Sequence, residues 1–286
     1  MKATQITIAL VAAFAAFAVQ AQSLTKPGVD AGNINARGTV NGAITQNGAG
    51  ALSFGNGGSP RLVGSTGIGG QNARVGGVAG AVRANQVNTN GTVNGTITQL
   101  RVGAAEGANE QLVSVGSVSN TRANNINATG NVAGIVSQIG GSVASGLNAQ
   151  VLQVGGVDEV RANNITARGS LNGGSSQITV DGIGAENQQI ATIGGARRVD
   201  ANNLNLTGTL NGALLQTNAS LGGTFNTQVA NVGGVHNAFA RNITTQGTVN
   251  GVVNQISAGV SSAFNLQSAV VGGVQGAEVI GNDERK

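Results

Sequence analysis

Apolar and polar residues alternate along most of this chain. Between residues 125 and 138, Ile126, Ala128, Gly130, Val132, Gly134, Val136 and Gln138 occupy one set of alternate positions; Asn127, Thr129 and Asn131 fall between them. A period of two belongs to a β-strand with one face buried. The pattern recurs upstream at Ile34, Val40 and Ile44 and downstream at Leu204, Leu210 and Leu214. No 3.6-residue period competes with it, and Gly, Asn and β-branched residues are poor helix formers. The pattern predicts an all-β protein.

The alternation is itself repeated. Gly91, Gly130, Gly169, Gly208 and Gly247 follow one another at 39 residues, as do Val115, Val154, Ile193, Val232 and Val271. A first copy begins near Asn33 and aligns through Gly38, Asn41-Gly42 and Gln46. Its Gly38 lies 53 residues before Gly91, so it carries a net 14-residue insertion, expected near 47–60. A fixed period of this size means stacked units, here a β-solenoid of six 39-residue repeats. A half-unit of 19 or 20 residues suits one turn of a narrow solenoid, which predicts about two rungs per repeat. About 12 rungs at roughly 4.8 Å would stack to on the order of 55–60 Å. The Gly-Gly pairs at Gly194-Gly195, Gly233-Gly234 and Gly272-Gly273 read as corners. The Asn-Gly pairs, such as Asn94-Gly95 and Asn172-Gly173, fit either a hairpin turn or a corner inside a strand.

Stacking turns equivalent positions into columns, and the least variable columns are amides. Gln46, Gln99, Gln138, Gln177, Gln216 and Gln255 form one. Asn72, Asn109, Asn148, Asn187, Asn226 and Asn265 form a second. Gln111, Gln150, Gln189, Gln228 and Gln267 form a third, with Arg74 near its place in the first copy. A buried primary amide is costly unless paired, and a column can pair each amide with the next, as in cross-β ladders. These residues are therefore expected to be structural ladders. Ser114, Gln153, Thr192, Asn231 and Val270 vary freely and read as an outward column. Opposite charges also share columns: Asp158 with Arg197, Glu159 with Arg198, Arg161 with Asp200. Exposed pairs of this kind contribute little. The like charges Arg83, Arg122 and Arg161 read as a solvated rim.

Composition narrows the function. Met1-Lys2, the apolar run from Ile6 to Val19 and the small-residue pattern Val19-Gln20-Ala21 read as a signal peptide over residues 1–21. The expected organisation is then a leader over 22–32, the solenoid over 33–280 and a charged tail over 281–286. No other stretch is apolar enough to span a membrane. Trp, Tyr and Cys are absent, aromatics are 2% and Gly is 48 of 286 residues, so neither an aromatic core nor disulfides hold the fold. A net charge of only +4 with a mean hydropathy of +0.08 argues against a disordered coil. The charge includes no basic run, so no nucleic-acid partner is expected. With no Cys and His236 alone, neither a usual transition-metal site nor a nucleophile triad can be assembled. His236 reads as an exposed loop residue. No enzyme activity and no cofactor are expected.

Gln138, Gly140, Gly146, Asn148, Gln150 and Val154, with their copies, resemble the Gln-x-Gly…Asn-x-x-Val pattern of curlin repeats, the subunits of bacterial functional amyloid. The resemblance covers residues of about 30 to 275, and departs from curlins in its 39-residue period and scarce aromatics. It implies export, self-assembly into an extracellular homopolymer, and a place in biofilm matrix and adhesion. It also implies a nucleator or secretion pore as partner. The Asn-Ile-x-Ala-x-Gly-x-Val half is similar to filamentous-haemagglutinin-type β-helical adhesins. Two functions follow as expectations: a fibre subunit that adds head to tail, and a monomeric solenoid that serves as an adhesin or surface-binding module. Ice binding is a variant of the second, since Thr39, Thr92, Thr209 and Thr248 share an outward column that Asn131 and Ser170 interrupt.

Overall fold

The computed structural model describes residues 29–49, 69–103, 107–142, 146–183, 185–222, 224–259, 264–275 and 278–279. Each repeat supplies one long strand and one short one. The long strands are β1 (Val29–Ala49), β3 (Val78–Gly103), β5 (Val118–Ser142), β7 (Val157–Ile183), β9 (Ala196–Gly222) and β11 (Val235–Gly259). The short ones are β2 (Gly69–Val75), β4 (Gly107–Val115), β6 (Gly146–Val154), β8 (Glu186–Ile193), β10 (Phe225–Val232) and β12 (Phe264–Val271). Two two-residue strands, β13 (Val274–Gln275) and β14 (Glu278–Val279), follow.

Long strands pair in parallel with long strands, in the order β1-β3-β5-β7-β9-β11, and short with short from β2 to β12. Gly130 sits on Gly91 and Gln138 on Gln99, and the same 39-residue step carries through β7, β9 and β11. The chain is thus a β-solenoid of stacked repeats. One turn takes 39 residues: the two halves of a unit are the opposed sheets of one turn rather than two successive rungs. Length alone allowed either arrangement. Six long strands at roughly 4.8 Å per step make a stack on the order of 25 Å, under half the length expected from two rungs per repeat.

A long strand is longer than the short one it faces, so it must fold around it. Its first part closes a small apolar lobe, filled by Val118, Ile126 and Ala128 in one turn and Val157, Ile165 and Ala167 in the next. The strand then pinches against the Gly-Gly corner. Successive corners are tied along the stack, where Gly155 N donates to Val115 O at 2.8 Å, and Gly116, Gly194, Gly233 and Gly272 repeat this bond at 2.8–2.9 Å. A Cβ on the facing Gly130, Gly169 or Gly208 would overlap backbone atoms of this corner. Gly116, Gly155, Gly194 and Gly233 also hold φ near +60° (59–62°), which other residues rarely adopt. Beyond this waist lies a second apolar lobe, where Val132, Val136, Leu171, Leu210 and Leu214 meet Val115, Leu152, Val154 and Ile193. The far end of the cross-section is polar.

The Asn-Gly pairs are corners inside continuous strands, not hairpins: Asn94 and Gly95 pair with Ala133 and Gly134 without interruption. In the first copy, β1 pairs with β3 as far as Ala49 on Val102, so residues 47–49 belong to the strand and the insertion starts later. Its bulk falls at 50–68, outside the described residues. A further extra residue is absorbed by a bulge between Ala79 and Val82. Val29 to Gly32, expected in the leader, lie in β1. The expected signal peptide (1–21) and charged tail (281–286) lie outside the described residues. Among those described, no helix is long and apolar enough to cross a membrane.

Candidate functional site

The long and short strands face each other across the amide columns. Gln99 Nε2 donates to Gln46 Oε1 at 2.7 Å, and the link repeats from Gln138 to Gln99 (2.9 Å) and from Gln177 to Gln138 (2.9 Å). Gln216 and Gln255 extend it at 2.8 Å each. Each amide is also tied across the turn: Gln138 Nε2 reaches Val151 O at 3.1 Å, and Gln177 reaches Ile190 O at 3.1 Å. The column therefore pins one sheet to the other as well as one turn to the next. Gln99, Gln138, Gln177 and Gln216 are fully buried, where an unpaired amide would be costly.

The second Gln column has six members. Gln111 donates to Gln71 at 3.0 Å, and Gln150, Gln189, Gln228 and Gln267 each donate to the residue before at 2.7–3.0 Å. Gln71, not Arg74, supplies the first copy, because β2 pairs with β4 through Gln71 on Gln111. The same register corrects the Asn column. Asn72 lies on Leu112, and Gly69 stands opposite Asn109, so Asn72 is not a member. Asn72 contributes its carbonyl instead, which accepts from Gln46 at 3.1 Å. The irregular first copy shifted the alignment by three residues. Asn148, Asn187, Asn226 and Asn265 link in sequence at 3.2, 2.8 and 2.8 Å.

Exposed Asn ladders escaped the sequence reading. Asn124, Asn163 and Asn202 chain back to Asn85 at 2.8–3.0 Å, and Asn164, Asn203 and Asn242 chain back to Asn125 at 2.7–2.8 Å. The repeated Asn-Asn pair at 39 residues was the available signal. The column read as outward is in fact enclosed: Ser114, Gln153, Thr192, Asn231 and Val270 are buried. The Gly-Gly corner folds over them, and a Cβ on Gly195 would meet the Asn231 amide at 2.7 Å. His236 lies in β11, not in a loop, with Nδ1 3.2 Å from Gln275 Oε1.

Among the described residues, buried charge sits in two places. Asp158 is buried and held by Arg197 at 2.7 Å and Arg198 at 3.0 Å, while Arg198 also meets Glu159 at 2.9 Å. Burial opposes the Asp158 charge, but the two guanidiniums outweigh it and hold its carboxyl below the ordinary value. This is not the exposed pair that the column alone suggested. The other place is the polar end of the interior. Asp181 Oδ1 accepts from Ser142 N (2.9 Å), Ser142 Oγ (2.8 Å) and Asn148 Nδ2 (2.7 Å). Among the described residues its buried Oδ2 has no partner, nor has either amide atom of Asn218. Burial raises the Asp181 pKa against the opposing pull of those donors.

Comparison with protein-family models, curated proteins and solved structures returns no match to this chain. The geometry defines a class, a two-sheet β-solenoid with amide ladders along its interior.

Proposed function

We propose that the protein is an exported, non-enzymatic structural subunit that stacks head to tail into an extracellular fibre. The observation that supports this most is the match between its two ends. Among the described residues, the outer edge of β1 has no strand partner. That of β11 is covered only where Val235, His236, Phe239 and Ala240 meet β13 and β14. The columns run from one edge to the other, so stacking one copy on the next would set Ile34 on Ile243 and Val40 on Val249. It would also set Gly42 on Gly251 and Gln46 on Gln255. The Gln46 amide would then meet Gln255 as Gln99 meets Gln46 within the chain. An open strand edge templates the next strand, and a head-to-tail contact need not close.

The end turns are also apolar where interior turns are covered. Val40, Ile44, Val249 and Val253 are only partly buried. Val252, Phe264 and Leu266 are 53–58% exposed. The apolar run at Ile6 to Val19 supports export, and the likeness to curlin repeats supports a matrix role.

The test uses one variant at each end. Val40→Lys places a charge on the first turn's open core, and Val249→Lys does so on the last. The full chain should form fibres by electron microscopy with a meridional reflection near roughly 4.8 Å. Each variant alone should stay monomeric with an unchanged circular dichroism spectrum. An equimolar mixture should form heterodimers and nothing longer, because only one good head meets one good tail. A wild-type chain that remains monomeric at high concentration for days would overturn the reading.

A further inference from the structure

A groove of about 460 Å³ runs along the stack beside the small apolar lobe. One wall is the column Arg83, Arg122 and Arg161, which lies in strict register and ends at Asp200. The other wall is the corner occupied by Asn120, Glu159, Arg198 and Asn237. The floor is Val82, Thr121, Val160 and Val199, all buried. The arginines thus border a concave site with an apolar base, and are not merely a solvated rim.

Two further features mark this groove. Arg161 is neutralised by Asp200 at 3.0 Å, but Arg83 and Arg122 have no carboxylate in ion-pair reach among the described residues. Arg83 and Arg122 rise from neighbouring strands, whose backbones are roughly 4.8 Å apart, so their like charges oppose one another. In addition, all four corner residues of the facing wall hold φ of 51–55°, a left-handed conformation uncommon outside glycine. Asn tolerates it; Glu159 and Arg198 do so less readily, and they are braced there by their own ion pair and by that of Arg198 with Asp158. A strained, braced wall facing unneutralised charge is the kind of arrangement that accompanies binding.

We propose that this groove binds a linear acidic polysaccharide, with one carboxylate or sulfate per ring, lying parallel to the stack axis. Arg83 and Arg122 stand in register along the stack, so an extended polymer lying along the axis can set acid groups against both, whereas Arg161 is already paired with Asp200. The apolar floor suits the C–H faces of sugar rings. The exposed ladder Asn85, Asn124, Asn163 and Asn202, just beyond the arginines, offers partners to ring hydroxyls. Single-stranded nucleic acid is disfavoured because such sites stack bases on aromatic side chains, and among the described residues only Phe239, at one end, is an aromatic lining the groove. The site lies on the side of the solenoid, so it stands whether or not the chain polymerises.

The test measures binding of fluorescently labelled oligogalacturonate of defined length to the full chain by anisotropy, at low and at moderate salt. Binding should be lost for the methyl-esterified oligosaccharide and should weaken as salt rises. The double variant Arg83→Gln with Arg122→Gln should bind at least tenfold more weakly, with an unchanged circular dichroism spectrum and no fall in melting temperature. Arg168→Gln removes an exposed charge outside the groove and should leave binding as it was. No binding by the wild type, or an equal loss in Arg168→Gln, would overturn the assignment. Tighter binding of an oligothymidylate than of the oligogalacturonate would replace it with a nucleic-acid site.

Discussion

The aliphatic lobe and the amide columns beside it are filled by opposite rules. In the aliphatic lobe a column changes residue freely: Val93 and Val132 give way to Leu171 and Leu210, and Ile97 to Val136. Burial asks only for volume and apolar surface, and a neighbour can compensate a small error. In the first Gln column the residue never changes, because a buried amide needs its donor and acceptor at set positions. Just beyond, where columns mix residues, the pairing fails. Gly140, Thr179 and Asn218 share one column, and neither amide atom of Asn218 has a partner among the described residues. Ser142, Asp181 and Ser220 share another, and Asp181 Oδ2 has no partner among the described residues. Uniformity is therefore a requirement of direction-dependent contacts, and variation is what non-directional ones permit. The waist is the limiting case, since a backbone-to-backbone contact admits glycine alone.

The strongest way to break this contrast is at the waist. A side chain on Gly208 would overlap Gly233 N and Ile193 O. Neither can move without unpairing its neighbours in the stack. Gly208→Val should therefore cost more than about 4 kcal/mol, at the severe end for single substitutions. Thermal melting and protease resistance would report it as loss of the folded state. Gly174→Val is the control, because only Ala213 O, at 3.9 Å, lies near its Cβ. It should shift stability by no more than about 1 kcal/mol. Similar losses in the two would mean that the waist is not a close contact.

The amide column gives the next largest effect. Gln177→Leu removes the links to Gln138 and Gln216 and the tie to Ile190 O. Buried groups on three sides lose a partner, at roughly 1–3 kcal/mol for each one left unsatisfied. The opposing case is Leu171→Ile in the aliphatic lobe, a swap of equal volume that should cost under about 1.5 kcal/mol. Urea unfolding of the two variants measures the difference directly. Equal midpoints would show that the Gln column behaves as ordinary filling.

These contrasts mark how far the sequence could be read. The alternation of Ile126, Ala128, Val132 and Val136 and the 39-residue step are visible without coordinates, and they specify a β-solenoid. The columns that repeat one residue are visible for the same reason. What a column faces is not visible, because alternation distinguishes in from out but does not say which strand lies opposite. Hence a half-unit could be taken for a whole turn, and Gln153 for a surface residue although the Gly-Gly corner covers it. Asn72 was misplaced because the Gly-rich insertion leaves several registers open, and only pairing with β4 chooses among them. Asp181 left no trace at all. Its column holds serine on either side, so nothing in the repeat announces a buried carboxylate.

That carboxylate provides the smallest effect and the one that depends on pH. Asp181 is 3% exposed, and its partners Ser142 and Asn148 are neutral. Desolvation thus outweighs hydrogen bonding, and the folded-state pKa stands above that of the unfolded chain. A raised carboxyl pKa means the folded state binds the proton more tightly. The contribution of Asp181 is then most favourable below the ordinary Asp value. It is lost as pH rises from there through the raised folded value. Asp158 runs the other way: its pKa is lowered, so its stabilisation is present above the ordinary Asp value and lost as pH falls through the folded one. Asp181→Asn removes the buried charge and keeps an oxygen for Ser142 and Asn148, at the cost of an amide group where Oδ2 lacks a partner. It should stabilise the protein by about 1 kcal/mol at neutral pH, the scale of an uncompensated buried polar group. At pH below the ordinary Asp value the gain should disappear. Melting temperatures of wild type and variant across that range give the answer, and a gain independent of pH would mean that folding does not shift the Asp181 pKa.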